Sequence, residues 1–114
     1  NRISPGAGLA MTAVIATREA IEEQPEAIQI FLAEYQMSVE FIQQNVDEAA
    51  ELAVAHDIIP NPNIARAAIP RANIVFITGA QMQRYLEGML NIFYEQLPQS
   101  VGGQMPDADF YFIY

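Results

Sequence analysis

The chain has 114 residues, enough for one small domain with a single core but short of two lobes with a cleft between them. Hydrophobic residues make up 52% and charged residues 17%, with few glycines and prolines, so the composition supports a packed core and argues against wholesale disorder. The net charge is -9 with no lysine, and the arginines (Arg2, Arg18, Arg66, Arg71, Arg84) are scattered, which leaves no cationic surface for nucleic-acid phosphates or anionic lipid.

The absence of cysteine removes disulfides, thiolate metal sites and cysteine nucleophiles together, and it fits an oxidising or a reducing compartment equally. No apolar run reaches the roughly eighteen residues that span a bilayer. The opening Asn1-Arg2-Ile3-Ser4-Pro5-Gly6 has neither an initiator Met nor the basic and apolar regions of a signal peptide, and reads as though cut from something longer.

In chain order, Leu9 to Thr17 is a nearly continuous apolar run with β-branched residues after Pro5-Gly6-Ala7-Gly8, which predicts a strand buried on both faces. Arg18-Glu19-Ala20-Ile21-Glu22-Glu23 predicts a short helical turn capped by Thr17, and Pro25 suits the first position of a second helix. That long helix has an apolar stripe of Ile28, Phe31, Leu32, Tyr35, Val39 and Ile42. Asn45 and Glu48 have capping-box spacing for a third helix, with Ala49, Leu52, Ala53 and His56 on its buried side.

Ile59-Pro60-Asn61-Pro62 must end that helix, Asn61 and Pro62 open a short one through Ala68, and Pro70 stops it. Ile74-Val75-Phe76-Ile77 reads as a short extended stretch. Thr78 and Gln81 form a second capping-box pattern before the clearest helix, in which Met82, Tyr85, Leu86, Met89, Leu90, Phe93 and Leu97 recur at helical spacing up to Pro98. After Gly102-Gly103 the tail Asp109-Phe110-Tyr111-Phe112-Ile113-Tyr114 is aromatic and expected to be extended.

The expected fold class is therefore α/β and helix-rich, with four or five helices and two or three short strands, and residues 1–114 forming a single partial domain. The first strand is apolar enough for the middle of a sheet, yet the other strand candidates are short and distant. Either another chain or a longer parent must supply its neighbours.

The same residues carry a resemblance. The apolar run Leu9 to Thr17, then Ile21-Glu22-Glu23-Gln24-Pro25-Glu26-Ala27 and Phe31-Leu32, then Phe41-Ile42-Gln43-Gln44-Asn45-Val46-Asp47-Glu48-Ala49-Ala50, resembles the C-terminal third of the nitrate/sulfonate/taurine-type solute-binding family of ABC importers. Gln24 and Val46 stand where that family usually has Asn and Pro. The later Ala68-Ile69-Pro70-Arg71-Ala72-Asn73-Ile74-Val75 and Ser100-Val101-Gly102-Gly103-Gln104-Met105-Pro106-Asp107-Ala108-Asp109-Phe110-Tyr111 are the more specific part of the match.

The resemblance implies the C-terminal portion of a type II periplasmic-binding fold, in which two lobes close on a small-molecule solute and present it to an ABC permease. It further implies a periplasmic or extracellular location, membrane association through the transporter, and no cofactor. Ligands in such folds sit in the crevice at the strand ends, so this chain is expected to contribute one side of it.

The candidate ligand-binding residues are Gly8, Met11, Arg71 and Asn73. Arg71 and Asn73 flank a proline-broken loop; the guanidinium fork suits an anionic solute group, while an amide both donates and accepts. Their plainer roles are a surface ion pair for Arg71 and a local loop bond for Asn73. Gly6 and Gly8 suit a hinge or a close approach to ligand, or ordinary turns.

His56 reads as a packed or capping residue, and the carboxylates Glu19, Glu22, Glu23, Glu26, Asp47, Glu48 and Glu51 as solvated faces at helix starts, rather than as catalytic or metal-binding groups. With no nucleophile-base pair to propose, an enzyme of the thiamine-pyrimidine-synthase type on the same fold is the weakest alternative. The other alternative is a stand-alone helical interaction or oligomerisation module, completed by a homo-oligomer or a complementary fragment.

Overall fold

The computed structural model describes residues 10–114. Its α-helices are α1 (Arg18–Glu23), α2 (Pro25–Gln44), α3 (Val46–Ala55), α4 (Pro62–Ala72) and α5 (Gly79–Gln96), followed by 3-10 turns at Pro98–Val101 and Ala108–Phe110. The chain forms two compact units, one spanning Ala16–Phe76 and the other containing Ile77–Tyr114 with residues 10–15 of the described N-terminal segment.

Every regular element among the described residues is helical, which overturns the α/β expectation of two or three short strands. A strand exists only when a neighbour accepts and donates its ladder bonds. Among the described residues, 10–17 have no such neighbour, and Met11, Val14 and Ile15 are exposed, so this part of the β-branched run is irregular chain rather than a central strand. Gly6, Gly8 and Leu9 lie outside the described residues. Residues 74–78 likewise form no ladder, and the expected extended tail is partly a 3-10 turn.

In the Ala16–Phe76 unit, the Thr17 hydroxyl caps α1 by accepting from the Ala20 amide at 3.1 Å. Proline opens α2, where its missing N–H costs nothing. On α2 the stripe places Val39 in the core, while Phe31 and Tyr35 remain partly exposed, stacked on each other at 5.8 Å; Tyr35 also meets Phe76 at 5.7 Å.

The α3–α4 hairpin is the most closely packed part of this unit. Ala50 and Ala65 are fully buried and Ala49 nearly so, and small side chains allow two helix backbones to approach closely. Leu52 and His56, expected on the buried side of α3, are exposed.

α3 ends before Pro60 is reached. Asp57 adopts the left-handed conformation at φ 58, its N–H donates to Val54, and the Ile58 N–H donates to Ala53 at 2.8 Å, the Schellman arrangement. Asn61 then caps α4 by accepting from the Asn63 amide at 2.8 Å. Outside the hairpin core, Arg66 of α4 reaches Asp47 (3.2 Å) and Glu51 (3.7 Å) of α3 and donates to Asn63.

Pro70 does not stop α4, which runs on to Ala72. Proline removes the bond to the carbonyl four residues back, here that of Arg66, but lying three residues from the helix end it interrupts only the final turn. Asn73 closes the helix at φ 51, a left-handed conformation that asparagine tolerates better than most residues.

In the second unit, α5 carries no fully buried residue; its apolar stripe is half-buried at Met82, Tyr85, Leu86, Met89 and Leu90 and exposed at Phe93, as is Leu97 just beyond the helix. Ser100, in the 3-10 turn that follows, donates through its hydroxyl to the Leu97 carbonyl at 2.7 Å. The one buried side chain in this unit among the described residues is Tyr111, edge-on to Phe110 at 5.2 Å.

Candidate functional site

In the Ala16–Phe76 unit, the last turn of α2, the start of α3 and the end of α4 converge around a cavity of about 220 Å³. Ile42 and Gln43 come from α2, Val46 from the first position of α3, Ile69 and Pro70 from α4, and Asn73 and Ile74 from the chain just beyond it. The wall is apolar (Ile42, Val46, Ile69, Pro70, Ile74), with two amide side chains.

The Gln43 amide nitrogen donates to the Ile74 carbonyl at 2.9 Å, which fastens the segment after α4 to α2 and leaves the Gln43 Oε1 as an acceptor. Asn45, between α2 and α3, does not form the expected capping box with Glu48. Its amide nitrogen donates backwards to the Phe41 carbonyl at 3.2 Å, so it secures the end of α2 instead. Pro70 contributes a rigid ring to the wall without presenting a backbone N–H.

Of the residues singled out from sequence, Asn73 lines this cavity. Arg71, two residues earlier in the last turn of α4, is exposed and outside the lining. Met11 is 84% exposed and belongs to the other compact unit, and Gly8 lies outside the described residues. The structure therefore does not bring the four together. Gln43 and Ile42 escaped the sequence reading because one belonged to the polar face of its helix and the other to the apolar stripe. The clue was their position one turn before a chain break at Asn45.

The second unit holds a different feature. The Tyr111 hydroxyl is buried without a hydrogen-bond partner among the described residues, and burial, reinforced by the Glu87 carboxylate, raises its pKa above the usual 10.0. The Glu87 carboxylate accepts from Gln83 at 2.8 Å. Among the described residues there is no cluster of three or more His, Asp or Glu side chains suited to a metal, and no helix long and apolar enough to cross a membrane. Comparison with family models, curated proteins and solved structures finds no match to this chain.

Proposed function

We propose that the chain is a helical portion of the solute-binding component of an ABC-type import system, which holds a small molecule without altering it and delivers it to a permease outside the cytoplasm. One observation carries this reading. Two of the segments that resemble the nitrate/sulfonate/taurine-type family, Phe41 to Ala50 and Ala68 to Val75, supply all seven residues lining the cavity. The reading contains no chemical step and gives no residue a catalytic role.

A thermal-shift screen of the purified chain against small solutes tests it, with mass spectrometry of the recovered ligand. A solute that raises Tm and returns unchanged supports binding for transport. Failure of every solute to shift Tm, or recovery of a chemically altered molecule, sinks the reading.

Exposure of Ile30 and Met37 favours a second reading, a helical interaction module. These residues are 60% and 66% exposed and seven apart on the side of α2 opposite Val39. A concentration-dependent dimer in light scattering that Met37→Glu abolishes would favour this alternative; a monomer at all concentrations would remove self-association.

A further inference from the structure

Resting on the solute-binding reading, we infer that the cavity between the ends of α2 and α4 takes a small uncharged solute with an apolar body and a hydrogen-bonding end, held by Gln43 and Asn73. Size sets the first limit, because about 220 Å³ lies below the roughly 300 Å³ at which ordinary small-molecule pockets begin.

The wall sets the second. None of the seven lining residues is charged, so an ion that gives up hydration against Ile42, Val46, Ile69, Pro70 and Ile74 gains no counter-charge in return. An anion also meets the negative dipole ends of α2 and α4, two against the one positive end that α3 presents at Val46, within a chain of net charge -9. A cation finds no lining carboxylate, and Arg71 is in the last turn of α4.

Hydrogen-bonding capacity sets the third. Gln43 gives one of its two amide hydrogens to the Ile74 carbonyl, which fixes the side chain and leaves its carbonyl oxygen as an acceptor beside one remaining N–H. The Asn73 side chain, at the left-handed end of α4 and in the lining, offers both a donor and an acceptor. A neutral amide or alcohol matches this pair, with its alkyl end against the apolar wall. The anionic solute suggested by Arg71 does not.

The test uses butyramide, butyrate and n-butylammonium, which share an alkyl chain and differ in charge, each titrated into isotope-labelled protein at millimolar concentration. Butyramide is expected to shift the Gln43 and Asn73 side-chain amide signals saturably, at least about tenfold more tightly than either ion. Asn73→Gly keeps the left-handed turn and Gln43→Met keeps the side-chain length; each is expected to weaken butyramide at least about fivefold with the helical circular dichroism unchanged.

Saturable binding of butyrate or butylammonium at the same signals, as tight as that of butyramide, overturns the uncharged-solute inference and leaves solute binding standing. Butyramide binding that neither variant weakens overturns the roles of Gln43 and Asn73. Absence of a saturable shift with all three probes overturns the inference, while the reading on which it rests stands or falls with the thermal-shift screen.

Discussion

The two compact units solve the problem of a small core in different ways. The Ala16–Phe76 unit uses small residues: Ala49, Ala50 and Ala65 let α3 and α4 close on each other, with Val39 of α2 also buried and Arg66 bridging the hairpin outside. In the Ile77–Tyr114 unit α5 has no fully buried residue, and one large side chain of the tail, Tyr111, is buried instead. Distributed close packing fails under added volume, whereas a single anchor fails under removal.

Truncation of the anchor should have the largest effect. Tyr111→Ala is expected to cost about 3 kcal/mol in denaturant unfolding, as for other large aromatic truncations; a loss below about 1 kcal/mol would show that the tail is not what holds its unit. Ala50→Leu should cost about 2 kcal/mol, because a fully buried position between two helices has no room for three more carbons. If the variant is as stable as the parent, the hairpin is looser than its burial implies.

Tyr111→Phe separates the ring from its hydroxyl. Removing a buried hydroxyl that has no partner should leave stability unchanged or raise it by up to about 1 kcal/mol below pH 10. The folded state holds the Tyr111 proton more tightly than the unfolded one, so its contribution is complete below pH 10.0 and is lost as pH rises through the higher folded pKa. Urea titrations between pH 9 and pH 12 should show a steeper alkaline decline for the parent than for the Phe variant; parallel curves would contradict the raised pKa.

The smallest effect belongs to Arg66→Met, which keeps an apolar stem and loses both ion pairs. The partners are largely exposed, so the cost should stay under about 1 kcal/mol and shrink with added salt. A salt-independent loss above about 2 kcal/mol would move the hairpin's stability from alanine packing to charge.

The helices were legible in the sequence because their causes are local. Proline at the start of α2 and α4, Thr17 and Asn61 as caps, and the periodic stripe of α5 act within a few residues. The strands were misread because β-branched composition says nothing about whether a ladder partner exists, and residues 10–17 have none among the described residues. Capping boxes failed at Asn45, whose amide turns back to Phe41, and at Thr78, where Gln81 donates to Tyr85 instead.

Within the candidate site, Asn73 was named for a proline-broken loop that does not form: Pro70 lies inside α4 and Asn73 is its left-handed cap. Arg71 was not excluded until the helix was seen to continue through Pro70, which carries the guanidinium out of the lining. The bond that sets Gln43 in the lining could not be read from sequence, because it reaches Ile74, 31 residues away.

The placement of the aromatic rings gives the chain two natural optical reporters. There is no tryptophan, so tyrosine dominates the near-ultraviolet spectrum. Tyr35, between Phe31 and Phe76, is the sole tyrosine of the Ala16–Phe76 unit, while Tyr85, Tyr94, Tyr111 and Tyr114 all belong to the other. Replacing Tyr35 by phenylalanine silences the first unit's tyrosine signal, so the melting of each unit can be followed by its own light without attaching a dye.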